Sequence, residues 1–264
     1  MRILVSTLLA CGTALTATGA YAQETSADGP SRGIVAVGAG IVPEYDGASD
    51  MRVLPFVTGE IHLGIVNLEM RGQRLRLDLN PGSRLSFGPA IGVRLPRDDA
   101  DGPVGLLSEI DTAIEAGGFM GYRIGGDRWG QGSVQLDLTV VHDVSDTHKG
   151  LIATASASYA AIRNPIFSLS LDAQASWANA DYARTYFGID EAGAAASGLP
   201  AYRPEAGFRD VGAGVTASYW FDRRFGVIGR AGASYLIGDL ADSPVTEEGS
   251  RWQPAAGLAL AYRF

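Results

Sequence analysis

Long runs of strict period-2 alternation are the feature that most constrains this chain. From Phe167 to Trp177, the residues Phe167, Leu169, Leu171, Ala173, Ala175 and Trp177 point one way, and Ser168, Ser170, Asp172, Gln174 and Ser176 the other. Val134 to Val140 repeats the pattern, with Gln135, Asp137 and Thr139 on the second face. Val211 to Phe221 does so again, with Gly212, Gly214, Thr216 and Ser218 opposite the apolar set. Side chains alternate faces along a strand, so such runs predict β-structure with one apolar and one polar face. Helical periodicity is hard to find. By this criterion about twelve strands are expected, near 32–41, 52–60, 61–69, 73–79, 84–95, 112–124, 132–142, 151–162, 166–177, 208–221, 225–237 and 252–264. The count becomes ten if the second and third segments, or a neighbouring pair, do not span.

The connections alternate in length. Even-to-odd links are short: Asn80-Pro81-Gly82-Ser83, Gly125 to Gly130, Arg163-Asn164-Pro165 and Asp222-Arg223-Arg224. Odd-to-even links are longer: 42–51, 96–111, 143–150, 178–207 and 238–251, with Arg71-Gly72 the exception. Short turns at one end and long loops at the other are the habit of an outer-membrane barrel. A secreted β-sandwich also alternates, with its apolar face inward. The aromatics separate the two. Tyr122, Tyr159, Phe167, Tyr219, Phe221, Phe225, Tyr262 and Phe264 fall at the short-turn end, and Trp177, Phe208, Tyr235 and Trp252 at the other. Two such girdles place amphipathic rings at the headgroups. The expected fold is therefore all-β, a transmembrane antiparallel up-and-down barrel. A closed barrel is the one β-architecture that satisfies its backbone in lipid.

The first 22 residues read as a secretory signal peptide. Arg2 precedes an apolar run, and Ala20-Tyr21-Ala22 offers a cleavage site. The expected division is 1–22 signal peptide and 23–264 barrel domain, with final residence in the outer membrane of a Gram-negative bacterium. Composition narrows the function. A net charge of −8 and a pI near 4.9 argue against nucleic-acid binding, which needs a basic footprint. One cysteine and three scattered histidines give no metal constellation, and no cofactor is expected. Gly212-x-Gly214-x-x-Ala217 has the outline of a dinucleotide fingerprint but lies inside an alternating strand with no helix after it.

Parity assigns charges to the barrel interior: Arg76, Arg94, Arg123 and Arg230 against Asp78, Glu115, Asp137 and Asp172. Equal numbers of each sign in a confined lumen suggest pairing. Two readings follow, a stiffening internal network and a selective constriction, and the network is favoured because small barrels are filled by their own side chains. A lipid hydrolase is the competing class. His142 has lipid-facing parity near the outer end of its strand, but the residue two further on is Val144, and Ser145 lies on the wrong face. His148 with Asp146, or His142 with Asp143, could be drawn as a base pair, yet nucleophile, base and orienter are not all placed. The chain reads as non-enzymatic. Its last strand ends Leu258-x-Leu260-x-Tyr262-x-Phe264. That ending resembles the signature read by the bacterial barrel-assembly machinery, with Tyr262 and Phe264 as the assembly signal.

Several motifs carry a family resemblance. Pro43-x-Tyr45-x-Gly47-x-Ser49 follows the first strand, and His148-Lys149-Gly150 opens the eighth. Tyr186-Phe187-Gly188-Ile189 precedes Ser197-Gly198-Leu199-Pro200-x-Tyr202 and Gly207-Phe208-Arg209-Asp210, and Asp239-x-x-x-Ser243-Pro244 lies in the last long loop. Together they resemble the MipA/OmpV family of Gram-negative outer-membrane proteins across essentially the whole mature chain. The resemblance implies an outer-membrane barrel in contact with lipid and lipopolysaccharide. For the MipA branch it implies a scaffold joining a lytic murein transglycosylase to a penicillin-binding protein. The alternative is a narrow pore for small solutes or ions. The loop from Tyr186 to Asp210 reads either as a plug over the outer mouth or as a folded surface cap, with Tyr186, Phe187, Leu199 and Tyr202 supplying its packing.

Overall fold

The computed structural model describes residues 33–98 and 100–264. The expected signal peptide lies outside the described residues. The chain forms a closed antiparallel barrel of twelve strands in sequence order, with the last pairing back onto the first. The strands are β1 (Gly33–Pro43), β2 (Met51–Leu63), β3 (Val66–Arg71), β4 (Arg74–Asp78), β5 (Leu85–Arg94), β6 (Ala113–Ile124), β7 (Val134–Asp143), β8 (Leu151–Arg163), β9 (Phe167–Ala178), β10 (Gly207–Trp220), β11 (Phe225–Leu236) and β12 (Trp252–Arg263). Three short helices lie in the long loops: α1 (Ala180–Phe187) and α2 (Glu191–Ser197) between β9 and β10, and α3 (Pro244–Glu248) between β11 and β12.

Alternation sets the wall. Along β7, Leu136, Leu138 and Val140 are exposed outward while Gln135, Asp137 and Thr139 are buried inward. A one-residue slip would turn every one of these to the wrong solvent, so the register is strongly specified. Two irregularities break the parity, at Ala160/Ile162 in β8 and at Phe208/Asp210 in β10. The second adds a residue to β10 and brings Arg209 inward beside Asp210, a placement of Arg209 that simple alternation misses.

The third strand departs from expectation. The sequence pattern places it at 61–69, but Ile61 to Leu63 complete β2, and the turn is Gly64-Ile65. The hairpin β3–β4 has strands of only 6 and 5 residues. A membrane strand needs roughly 9–11 residues, so this hairpin does not span by itself. It pairs with the inner half of β2 from Thr58 to Leu63 and with β5 from Ala90 to Gly92. Gly64 and Gly72, both at positive φ (71° and 60°), supply the two tight turns that fold it back.

The closing seam is tight. On β1, Gly38 lies opposite Ala259 of β12. A Cβ there would meet the Leu258 carbonyl and come within 2.5 Å of the Ala259 Cα. Gly38→Ala is expected to push the seam apart and cost about 1–3 kcal/mol, the usual range for overpacking. Urea titration of the refolded barrel measures it. Gly118→Ala, whose Cβ meets only a carbonyl at 3.3 Å, is the milder control.

Candidate functional site

An apolar cluster occupies part of the interior where β1, β10, β11 and β12 meet: Ala36, Trp220, Ile228, Ala259 and Ala261, with Ile34 and Phe56 packed against them. Charged side chains line much of the rest, from strands that include β10 and β11. Here Arg76 donates to Asp137 at 2.9 Å and stacks over Phe119, 3.5 Å from the ring centroid. Arg71 and Arg76 approach Glu69 at 2.7 and 3.6 Å. Arg230 donates to Asp172 at 3.3 Å and to Thr216 at 3.0 Å. Of the eight interior charges read from parity, Arg76, Arg94, Arg230, Glu115, Asp137 and Asp172 thus lie in ion pairs. Asp78 instead accepts backbone N–H groups from Asn80 (2.9 Å) and Phe87 (3.3 Å), which builds the β4–β5 turn. Arg123 turns to Gln135 at 3.4 Å.

The densest cluster sits at the outer mouth. Asp46, on the β1–β2 loop, accepts from Arg94 (3.0 Å), Arg209 (3.5 Å) and the Tyr182 hydroxyl. Glu115 accepts from Arg94 Nε at 2.8 Å and Arg74 Nη2 at 3.4 Å. Asp210 takes Arg209 Nε. His148, fully buried, lies edge-on to Tyr182 and Tyr186 with ring centroids 5.4 and 5.6 Å away. Its Nδ1 accepts from Gly150 N at 3.0 Å, so the proton is assigned to Nε2, which faces Glu115 at 3.5 Å.

Each element of this plug has a local cause. Asn179 caps α1 by accepting from Tyr182 N, and also accepts from Leu151 N, tying the helix to β8. That points Tyr182, Tyr186 and Phe187 into the mouth, where Tyr182 and Phe187 reach 0% exposure. Asp190 caps α2, and Gly198 ends it in the left-handed conformation at φ 78°. Ile189 and Tyr202 exchange backbone hydrogen bonds at 2.8 Å, closing the segment between them into a compact loop. Leu199 packs with Val104, Ile189 and Val245 in the cap's own core. Ser197 Oγ donates to the Gly193 carbonyl, while Pro200 is exposed. Ser243 donates to the Phe187 carbonyl at 2.6 Å and Arg97 to the Tyr186 carbonyl at 2.9 Å, and these bonds lock α1 to its neighbours. Gln253 holds the Asp46 loop from both sides, accepting from Gly47 N and donating to the Ala48 carbonyl, each at 3.1 Å.

Burial alone would raise the Asp46 carboxyl, but Arg209, Arg94 and the Tyr182 hydroxyl outweigh it and hold the group below its ordinary value. Burial pushes the Tyr182 hydroxyl far above its usual range, so it stays a neutral donor. A depressed carboxylate contributes stability above its unfolded pKa, about 4, and loses it as pH falls through the lower folded value. The cap is therefore expected to loosen only below about pH 4. Pepsin cleavage in the α1–α2 loop should accelerate there. Asp46→Asn should bring the faster cleavage to higher pH and flatten the dependence.

The residues considered for hydrolysis do not assemble. Ser145 Oγ donates to Asp143 at 2.6 Å, and His142 Nδ1 lies 2.6 Å from the Asp143 carbonyl. Asp143 also accepts from the backbone of Ser145, His148 and Lys149, so its role is to shape the loop. Among the described residues no group of three or more His, Cys, Asp or Glu forms a candidate metal site. At the far end, Tyr262 and Phe264 stack on the outer face with ring centroids 6.2 Å apart, beside Phe225.

No curated protein matches the chain. Among solved structures, the COG4313 outer membrane channel from Pseudomonas putida F1 aligns at 14% identity and TM-score 0.42, covering 93% of this chain and 98% of that one. The outer membrane channel DcaP of Acinetobacter baumannii aligns at 10% identity and TM-score 0.40, covering 92% and 100%. The family described as MltA-interacting protein MipA matches residues 35–264, nearly the whole chain. With its twelve-stranded wall and capped mouth, this chain belongs to the MipA family and is an outer-membrane barrel protein.

Proposed function

We propose that this protein is a closed, non-enzymatic barrel that serves as an outer-membrane scaffold for murein-remodelling enzymes. The observation that carries the closed state is the Asp46–Arg94–Arg209–Tyr182 cluster, which fills the outer mouth beneath α1. A barrel plugged by its own buried ion pairs is suited to hold position rather than to pass solute. The family's description, MltA-interacting protein, supports a partner of the MltA kind. The family resemblance carried by the motifs adds the lytic transglycosylase class and a penicillin-binding protein as second member. The chain reaches this site after signal-peptide cleavage and delivery by the assembly machinery through Tyr262 and Phe264.

A purified MltA-type transglycosylase should bind the refolded barrel in detergent, and a capped barrel of another family should not bind it. Absence of binding by a demonstrably folded barrel overturns the scaffold reading.

One observation favours the narrow-pore reading. On β7, β8 and β9 the lumen wall holds Asp137 Oδ2, Ser158 Oγ and Asp172 Oδ1, buried and without a protein hydrogen-bond partner. Buried polar atoms of this kind are satisfied by water, so this wall would carry a hydrated track below the cap. Conduction along it would require the cap to move.

A further inference from the structure

Beneath the outer mouth, on the lumen side of the charged cluster, lies a cavity of about 470 Å³ counting its open side. That is within the range of small-molecule sites. Arg74, Arg94, Arg209 and Glu115 form one part of its lining, Thr154 and Ser176 another, and Val93 and Ile152 an apolar patch. Every residue of the lining belongs to the described part of the chain.

Hydrogen bonding in this lining is lopsided. Its carboxylate is engaged, since Glu115 accepts from Arg94 Nε at 2.8 Å and from Arg74 Nη2 at 3.4 Å. The Ser176 hydroxyl lies 3.3 Å from that of Thr154 and donates to Asp210 at 3.4 Å. Two donors are left over. Gln73 Nε2 and Arg74 Nε are buried without a hydrogen-bond partner. There is room beside Arg74 Nε because residue 92 is glycine, and a Cβ there would stand 3.4 Å away. A buried donor without an acceptor is costly, so both groups need acceptor oxygens from outside the chain.

Charge decides the class of ligand. Arg74 and Arg94 meet Glu115, Arg94 and Arg209 share Asp46, and Arg209 also meets Asp210. The guanidinium groups are thus matched one for one by carboxylates. An anion would add an unmatched negative charge to a buried, balanced cluster. A hydroxyl group adds none. It offers lone pairs to the leftover donors and a proton to Glu115, Thr154 or Ser176. The apolar patch of Val93 and Ile152 suits the C–H face of a ring whose edge carries the hydroxyls. We infer that this cavity binds a neutral, hydroxyl-rich solute the size of a single sugar ring. The inference does not depend on the scaffold reading.

The test is titration calorimetry of the refolded protein in lauryldimethylamine oxide, a detergent without a sugar headgroup. Glucose is the neutral probe and glucuronate its anionic counterpart. Glucose should bind saturably, and glucuronate roughly ten-fold more weakly because its charge is unmatched. Gly92→Ala puts a methyl group beside Arg74 Nε, and Gln73→Leu removes the other leftover donor. Neither removes an ion pair, so both barrels should stay heat-modifiable on a gel. Each should weaken glucose roughly five-fold, the worth of one hydrogen bond. Should one variant fail to fold, the other carries the comparison, and the contrast between the two probes needs no variant. Absence of glucose binding by a folded barrel overturns the inference and leaves the cavity to water. Tighter binding of glucuronate also overturns it and makes the cavity an anion site. Glucose binding that the folded variants retain in full overturns it as well, by placing the sugar elsewhere on the barrel.

Discussion

Glu115→Ala is expected to cost about 3–5 kcal/mol of barrel stability, the range for breaking a buried ion pair from one side. Glu115 is 2% exposed and gathers Arg74, Arg94 and His148 around one carboxylate. Arg94 keeps Asp46 when Glu115 is lost. Arg74 does not share that refuge, because its one ion pair among the described residues is with Glu115. A buried guanidinium without a counter-charge is the main source of the penalty. Glu115→Gln, which keeps an acceptor oxygen, should cost less. Arg74→Met in the Glu115→Ala background should restore part of the loss, because it removes the stranded charge and fills its volume. Urea unfolding of the refolded barrel, followed by the loss of the compact gel form, gives all three values. A Glu115→Ala barrel as stable as the parent would mean that this cluster is hydrated rather than buried.

Excising the α1–α2 segment is expected to convert the barrel into a conductor. Ala178 pairs with Gly207, so an Asn-Gly turn can replace 179–206 without disturbing the β9–β10 ladder. The wall should therefore still fold. The mouth loses Tyr182, Tyr186 and Phe187, and with them the core that joins Ile110, Val141, Ile152, Leu236 and Leu240 across the opening. Asp46 loses its hydroxyl donor, and Arg97 loses the Tyr186 carbonyl while keeping that of Ser108. Water then reaches the polar wall of β7 to β9. Single-channel recording of this variant should show small-ion steps, and silence from a folded variant would place the seal deeper, at Arg76, Asp137 and Arg230.

The wall was legible in the sequence because alternation is a local signal. Leu136, Asp137 and Leu138 declare their faces without reference to any other strand, and the aromatic ends of β10 to β12 declare its depth. The weakest segment was the one where the pattern is shortest: β3 and β4 carry too few residues for the period to fix their bounds. Inward charges were legible as positions but not as partners. Arg76 and Asp137 are 61 residues apart, and only barrel closure brings them within 2.9 Å. Arg209 escaped because a bulge shifts parity at Phe208, while Asp210 keeps the parity of Gly212. Asp46 falls at an unnamed position of the Pro43-to-Ser49 motif, and its partners come from β5, α1 and β10. The cap's helices were hidden by their brevity, although Asn179, Asp190 and Ser243 stand where helix N-caps stand. Searching for those caps is the signal that would have found them.

The central claim is that the barrel is closed by its own loops and paired charges. It is tested most directly by single-channel recording of the full refolded protein in a planar lipid bilayer at neutral pH, on material shown to be heat-modifiable. The account predicts a silent barrel whose excised-cap variant conducts. Reproducible, ion-selective steps from the intact protein would contradict it and make the polar track past Asp137, Ser158 and Asp172 the functional part of the molecule.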